Sequence, residues 1–454
     1  MKLFFRRIHL YLGLVSGLFL VVVCLTGSIL VFEEELTHAF HRERYFVAAA
    51  TTPRLSLAQL TEAVRATRPK AKITGFKVYA DPTRTVEVNL AGAGRPGGPQ
   101  GEQRGEALGG RGEGRGEQAG GRENRGEGQS ERGSEGRGER GQGSPENRGG
   151  AGRAERGQTG RQGPQAGPGK GGKGGDRGPT LYLNPYTGAV LDEYDSHKSF
   201  FHFIEEIHRG LVAGRVGKLV MGINSIIFVF ILGTGLVLWW PAARQTLSSR
   251  LRIKWDASWK RVNYDWHTAL GFYSAVFLLI MTLTGMGMAF DWVGKGINTL
   301  THSPQQRPEP PTSTLPATGP TAPFGADAAL ALARQQAPEA TSYSLQLPKA
   351  PDGSIQVGLL RPGAITDRAT DDVYLDQYSG QVLRQQTYAQ KPVGQRIRGL
   401  FKPIHTGAIF GWPTKVLAFV FVLLGATFPI TGTLMWLNRT RKSKKKGQPR
   451  VALA

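Results

Sequence analysis

The chain has 454 residues, a formal charge of +22 and a mean hydropathy of -0.27, an average that fits neither a soluble domain nor a membrane protein and therefore hides a mixture. Four windows, roughly 10–32, 217–240, 267–290 and 414–437, are apolar and long enough to cross a bilayer. Such a charge in a soluble protein points to nucleic acid, but these cations flank the apolar windows, which argues against that partner and for membrane lipid as the surrounding medium.

Residues 1–8 carry Lys2, Arg6 and Arg7 ahead of the first predicted membrane helix, 9–32. That stretch is too long for a signal-peptide core and lacks a small-residue cleavage site, so it is expected to be retained. It contains the lone cysteine, Cys24, which leaves no intramolecular disulfide. A first outer module follows over 33–91 and 179–200, with a helix-like stretch from Leu55 to Thr67 and a strand candidate from Thr85 to Leu90. It is interrupted at 92–178 by a Gly/Arg-rich insert without apolar periodicity, which is expected to be disordered. Residues 201–240 hold a histidine segment and the second helix, and a basic loop at 241–264 carries Arg244, Arg250, Arg252, Lys254, Lys260 and Arg261. The third helix spans 265–290, and 291–323 is a linker, Pro-rich from 303. A second outer module, 324–396, has a helix candidate from Ala326 to Gln336 and a strand candidate from Ser354 to Leu359. Residues 397–437 give another histidine segment and the fourth helix, before a basic tail at 438–454. The positive-inside rule puts the basic segments and both termini in the cytoplasm and both long loops outside, in the periplasm of a bacterium.

The two halves match. Leu181–Leu191 aligns with Val373–Leu383, each a strand, an Asn/Asp-to-Gly turn and a second strand. The predicted fold is a membrane protein: a four-transmembrane-helix bundle made of two parallel helix–module–helix repeats, with small α+β outer modules and the disordered insert.

Four histidines share the duplication. His9 and His267 each begin His-x-x-x-Gly, at Gly13 and Gly271, and each is followed eighteen residues later by the glycine of Leu-Thr-Gly, at Gly27 and Gly285. His208 and His405 each lie in Ile-His-x-Gly and precede a Thr-Gly glycine by twenty-seven residues, at Gly235 and Gly432. Eighteen residues make five helical turns and a rise of roughly 27 Å, so His9 and Gly27 share a face, with Gly13 and Gly17 between them; Gly271 and Ala275 continue the face below His267. Small residues beyond a histidine leave room for a flat macrocycle, and helix–helix packing is the plain alternative. Topology pairs His9 with His267 at the inner level and His208 with His405 at the outer. Two neutral imidazoles per level suit bis-His ligation of b-type haem, with no Cys-x-x-Cys-His for covalent attachment. Haem propionates need cations: Arg6 and Arg7 inside, and Arg209, Arg215, Arg396, Arg398, Lys402 and Lys415 outside. Weaker metal candidates are His202, near His208, and His38 and His41, which with Glu34 fall at i, i+4, i+7. His197 lacks a repeat partner and His302 opens the Pro-rich linker. Trp239, Trp240, Trp292 and Trp436 fit an interfacial belt.

These motifs, Arg7-Ile-His9 with Leu25-Thr-Gly27, Ile207-His208 with Gly233-Thr-Gly-Leu-Val-Leu-Trp-Trp-Pro241, Asp265-Trp-His267 with Leu283-Thr-Gly285, and Ile404-His405-Thr-Gly407 with Ile430-Thr-Gly-Thr-Leu-Met-Trp436, resemble the PepSY-associated transmembrane helix family. Its ferric-siderophore reductases, of the ferrioxamine B reductase type, imply PepSY-like periplasmic modules and two b haems. They further imply electron flow from the cytoplasmic side to a ferric siderophore or other ferric chelate. The insert departs from the family pattern, and no flavin or nicotinamide domain follows the fourth helix, so the expected donor is a cytoplasmic reductase or membrane quinol. Two other functions fit a PepSY chain: a non-enzymatic, membrane-tethered regulator of a periplasmic peptidase, and an accessory factor for metal-chelate transport. No Ser/His/Asp, Cys/His or His-Glu-x-x-His arrangement supports hydrolysis.

Overall fold

The computed structural model describes residues 1–92, 177–241, 243–316 and 322–446; apart from its two ends, the 92–178 insert lies outside them. Helix α1 (Lys2–Leu30) is followed by α2 (Glu33–Phe40), with three glutamates in its first turn, and by the single turn α3 (Arg42–Tyr45). Helix α4 (Leu57–Thr67) starts from a capping box between Ser56 and Gln59. Strands β1 (Ile73–Tyr79), β2 (Val86–Ala91), β3 (Arg177–Leu183) and β4 (Val190–Tyr194) lead to α5 (Phe200–Gly210) and α6 (Gly214–Trp239). Short α7 (Leu247–Arg250) precedes α8 (Trp259–Asp265), which runs through a π turn at Trp266–Leu270 into α9 (Gly271–Ala289). The second half continues with α10 (Asp291–Leu300), α11 (Ala326–Gln336), β5 (Ser342–Gln346), β6 (Ser354–Leu360), β7 (Asp371–Asp376) and β8 (Val382–Gln386), then α12 (Val393–His405) and α13 (Trp412–Lys446).

Four helical segments are long and apolar enough to cross a membrane: Lys2–Leu30, Gly214–Trp239, Trp259–Ala289 and Trp412–Arg441. Three of them extend into the flanking basic residues, because Lys and Arg are good helix formers that a hydropathy window does not register. Helix α1 packs against α6 and α13, and α9 packs against the same two, so the spans form a ring in the order α1, α6, α9, α13. The basic segments lie at one end of this ring and the strands are connected to the other.

The strands of the two expected modules form one eight-stranded antiparallel sheet, ordered β4-β3-β2-β1-β5-β6-β7-β8. Strands β1 and β5 join the halves, with Val78 opposite Tyr343 and Phe76 opposite Leu345. The physical reason is that either half alone would leave a long unpaired edge, which this pairing removes. Strand alternation sends Phe76, Val88, Leu181, Leu345, Val357 and Val373 to one face, where Leu60 and Val64 of α4 and Ala329 and Ala333 of α11 close the core. The opposite face is polar and aromatic. There, α3 places the buried Arg44 at 2.7 Å from Asp192 and 4.9 Å from the ring centre of Tyr194.

Two expectations for the connections change. Residues 291–300 of the linker are the helix α10, and the following strap is pinned to the sheet where the Asp352 carbonyl accepts from Ser313 N–H (2.8 Å) and Asp376 Oδ2 accepts from Thr314 N–H (2.8 Å). Trp240, Trp292 and Trp436 are exposed, as a belt requires, whereas Trp239 is buried and stacked on Phe272 at 3.6 Å, a contact between α6 and α9.

Candidate functional site

The four duplicated histidines meet in two pairs. The rings of His9 and His267 have centres 6.3 Å apart and planes at 85°; those of His208 and His405 are 6.0 Å apart and at 70°.

Each ring is held crosswise by a neighbouring helix. His9, from α1, turns Nδ1 to α6, reaching Ile231 O at 3.1 Å and Thr234 Oγ1 at 3.0 Å. His208, from α5, turns Nδ1 to α1, reaching Val23 O and Thr26 Oγ1, both at 3.1 Å. His405, at the end of α12, reaches Met281 O at 2.7 Å and Thr284 Oγ1 at 3.3 Å on α9. His267, in the π turn, reaches Thr431 Oγ1 of α13 at 2.8 Å.

This geometry fixes the tautomer. A carbonyl only accepts, so Nδ1 of His9, His208 and His405 must carry the proton. The threonine hydroxyls donate to their own helices: Thr26 to Val22 O (2.7 Å), Thr234 to Phe230 O (2.8 Å), Thr284 to Ile280 O (2.8 Å) and Thr431 to Thr427 O (3.0 Å). Each Oγ1 is thereby an acceptor toward the imidazole, and the same logic covers His267. Nε2 keeps its lone pair in all four rings, and among the described residues no hydrogen bond engages it. A metal-binding histidine shows this arrangement, with the far ring nitrogen donating to an oxygen that orients the ring and raises its basicity.

The Thr-Gly glycines make room for these rings. A Cβ on Gly27 would stand 3.1 Å from His208 Cε1, one on Gly235 3.2 Å from His9 Cε1, one on Gly285 3.0 Å from His405 Cε1, and one on Gly432 3.2 Å from His267 Cε1. Each of these glycines therefore receives the imidazole of a histidine from another helix. Gly13 and Gly271 differ, since a Cβ there would meet no atom within 4 Å, while one on Gly17 would meet Pro429 at 3.2 Å. The first two border open space and the third is a helix contact.

The separation within each pair would admit one metal ion between two imidazoles. Two imidazole–metal bonds of about 2.0–2.1 Å, with about 1.1 Å from each Nε2 to its ring centre, require ring centres about 6.3 Å apart. The observed separations, 6.3 and 6.0 Å, match. The rings of His208 and His405 also favour the neutral form, which is the one that ligates: burial pushes His208 down to about 4, with His405 beside it adding to the effect, and burial likewise lowers His405.

The other candidates scatter. His38 lies on α2 one turn from Glu34 and tilts against Tyr45 with ring centres 4.2 Å apart, while His41, exposed, caps that helix. His202 faces Glu206 at 3.8 Å and His197 at 5.1 Å, and it is His208 that meets His405. Among the described residues no group of three or more His, Cys, Asp or Glu side chains is placed to hold an ion. Of the cations, Arg209 pairs with Glu205 at 2.8 Å, and the buried Lys415 pairs with Glu35 at 2.5 Å, which commits both elsewhere. Arg396 lies over Tyr388, and Arg398 lines a cavity of about 240 Å³ with Asp291 and Phe401. Arg6, Arg7, Arg215 and Lys402 are exposed.

The residues that spacing alone did not single out are Thr26, Thr234, Thr284 and Thr431, although a threonine precedes every one of the four glycines. A search of curated proteins finds no match. The family model described as the PepSY-associated TM region matches residues 6–439, which include all four histidine–threonine–glycine sites and both halves of the sheet, and the chain belongs to that family.

Proposed function

We propose that the protein is a dihaem electron carrier of the bacterial inner membrane. In this reading it is built as two parallel helix–module–helix repeats and takes electrons on its basic, cytoplasmic side. It delivers them to a ferric siderophore or other ferric chelate in the periplasm, releasing ferrous iron. His9 and His267 would hold the inner b haem, and His208 and His405 the outer. Bound haem supplies a one-electron ferric/ferrous couple at each level. The chain's own work is positioning. Each Nδ1–H donates to a carbonyl or threonine oxygen, which locks the ring and makes Nε2 a better donor, and each Thr-Gly glycine lets the ring sit tightly against a helix. The eighteen residues from His9 to Gly27, the seat of His208, separate the two levels by roughly 27 Å along α1, close to the hydrocarbon thickness. Reduction releases the metal because ferrous iron binds hard oxygen ligands more weakly than ferric iron does.

The observation that carries the reading is the meeting of two histidine pairs at ligation distance with all four Nε2 atoms unengaged. The test is an absorption spectrum of the protein purified after haem-replete expression, before and after dithionite, followed by a ferric hydroxamate chelate and a ferrous-specific dye. Reduced b-haem bands that bleach as ferrous iron appears are expected. A colourless protein would refute the haem reading, and bands indifferent to every ferric chelate would refute the reductase.

A further inference from the structure

A cavity of about 550 Å³ lies at the basic end of the bundle, between the start of the third span and the fourth. Trp255, Trp259 and Trp266 wall it, and Asn263, Thr427 and Thr431 supply its polar groups. Trp266 Nε1–H donates to Thr427 Oγ1 at 3.1 Å, and Asn263 Nδ2 donates to Thr431 O at 3.1 Å, which leaves Asn263 Oδ1 as an acceptor facing the cavity's occupant. Thr431 is also the residue whose hydroxyl accepts from His267 Nδ1 at 2.8 Å, so one side chain lies on both the cavity and the inner histidine pair. The π turn produces this: it places Trp266 and His267 side by side, each bonded to α13 one turn apart.

We infer that this cavity binds the ring of a membrane quinol and is the entry point for electrons, an inference that rests on the haem reading above. Three observations select that occupant. Indole walls favour a flat aromatic ring. Among the described residues no Lys or Arg lines the cavity, so the phosphates of a flavin or nicotinamide nucleotide find no partner there. The lining residues from Trp259 to Trp266 and from Thr427 to Thr431 belong to membrane spans, so the ring is reached from lipid. The first half has no equivalent: alignment on the histidines and glycines puts Ile8 where Trp266 stands and Phe230 where Thr427 stands. A bound hydroquinone breaks two O–H bonds and leaves as the quinone. Its two protons would pass to water at the basic mouth and its two electrons would leave singly; Thr431 and His267 lie between the cavity and the inner site, where a bound haem would accept one electron and pass it on before taking the second.

The full-length protein in detergent is photolabelled with an azido-ubiquinone, and the labelled peptides are mapped by mass spectrometry. Label is expected on Trp255–Trp266 and Thr427–Thr431, displaced by excess decylubiquinone and not by FMN. Trp266→Leu and Asn263→Leu should each cut it at least tenfold. Label spread over the lipid-facing helices, unchanged by both substitutions, or displaced by FMN would overturn the inference. Haem absorbance of the same samples separates the two ideas. Intact haem without specific label removes the quinol site alone, and specific label in a haem-free protein removes the haem reading alone.

Discussion

Gly235→Ala and Gly233→Ala place a methyl group on the same helix two residues apart, with opposite expected results. At Gly233 the new Cβ meets nothing within 4 Å, so the variant keeps only the helix-propensity gain of alanine over glycine, about 0.8–1 kcal/mol. At Gly235 it stands 3.2 Å from His9 Cε1, inside the roughly 3.5–4.0 Å at which carbon atoms rest. The imidazole must withdraw by a few tenths of an ångström. It is tethered by Nδ1 to Ile231 O at 3.1 Å and to Thr234 Oγ1 at 3.0 Å, and withdrawal stretches both contacts toward the length at which hydrogen bonds fail. Both contacts share the one Nδ1 proton, so the local loss is that of one hydrogen bond, about 0.5–1.5 kcal/mol, set against the same propensity gain. Thermal stability should therefore change little, while affinity at the His9–His267 site falls about 10–100-fold, the usual effect of disturbing a histidine's supporting oxygen. The assay is b-haem content against added hemin, with thermal melting in parallel. If Gly235→Ala binds hemin as Gly233→Ala does, the glycine is not the seat of His9 and the crosswise account fails.

Thr431→Val keeps the shape and removes the oxygen that accepts from His267 Nδ1 at 2.8 Å; hemin titration should show about a tenfold or greater loss at the inner site, and redox titration a raised inner midpoint potential from the less basic imidazole. Lys415→Met strands Glu35, one oxygen of which is already buried without a partner, and should lower stability by about 2–3 kcal/mol, below the usual cost of breaking a buried pair because Glu35 keeps some exposure. Adding Glu35→Gln should recover most of that loss in a thermal melt. Burial raises the Asp376 carboxyl, but N–H donors from Ser379, Thr314 and Tyr378 outweigh it and hold the group below its ordinary value. Its contribution is therefore present above the unfolded value of about 3.9 and lost as pH falls through the folded one, so the Tm deficit of Asp376→Asn should be full at pH 7 and vanish in acid.

Much of the bundle is legible in the sequence because membrane helices and flanking charge are local signals. The repeated interval from histidine to glycine also marked the four ligand candidates. What a single helix cannot reveal is which neighbour uses its residues. Gly27 lies on the face of His9, yet it receives His208, since α5 folds back onto α1. Joining of the two modules through β1 and β5 was equally hidden, because the alternation in Ile73–Tyr79 and Ser342–Gln346 fits an edge strand as well as a central one. Trp255, Trp259 and Trp266 resemble a scattered interfacial set in one dimension and become a cavity only through the π turn.

The most direct measurement is the number of b haems per chain, by pyridine haemochrome assay after haem-replete expression, in wild type and in two double variants. Two are expected in the wild type, one in His9→Ala/His267→Ala and one in His208→Ala/His405→Ala. A haem-free wild type, or either double variant retaining both haems, would contradict the dihaem reading.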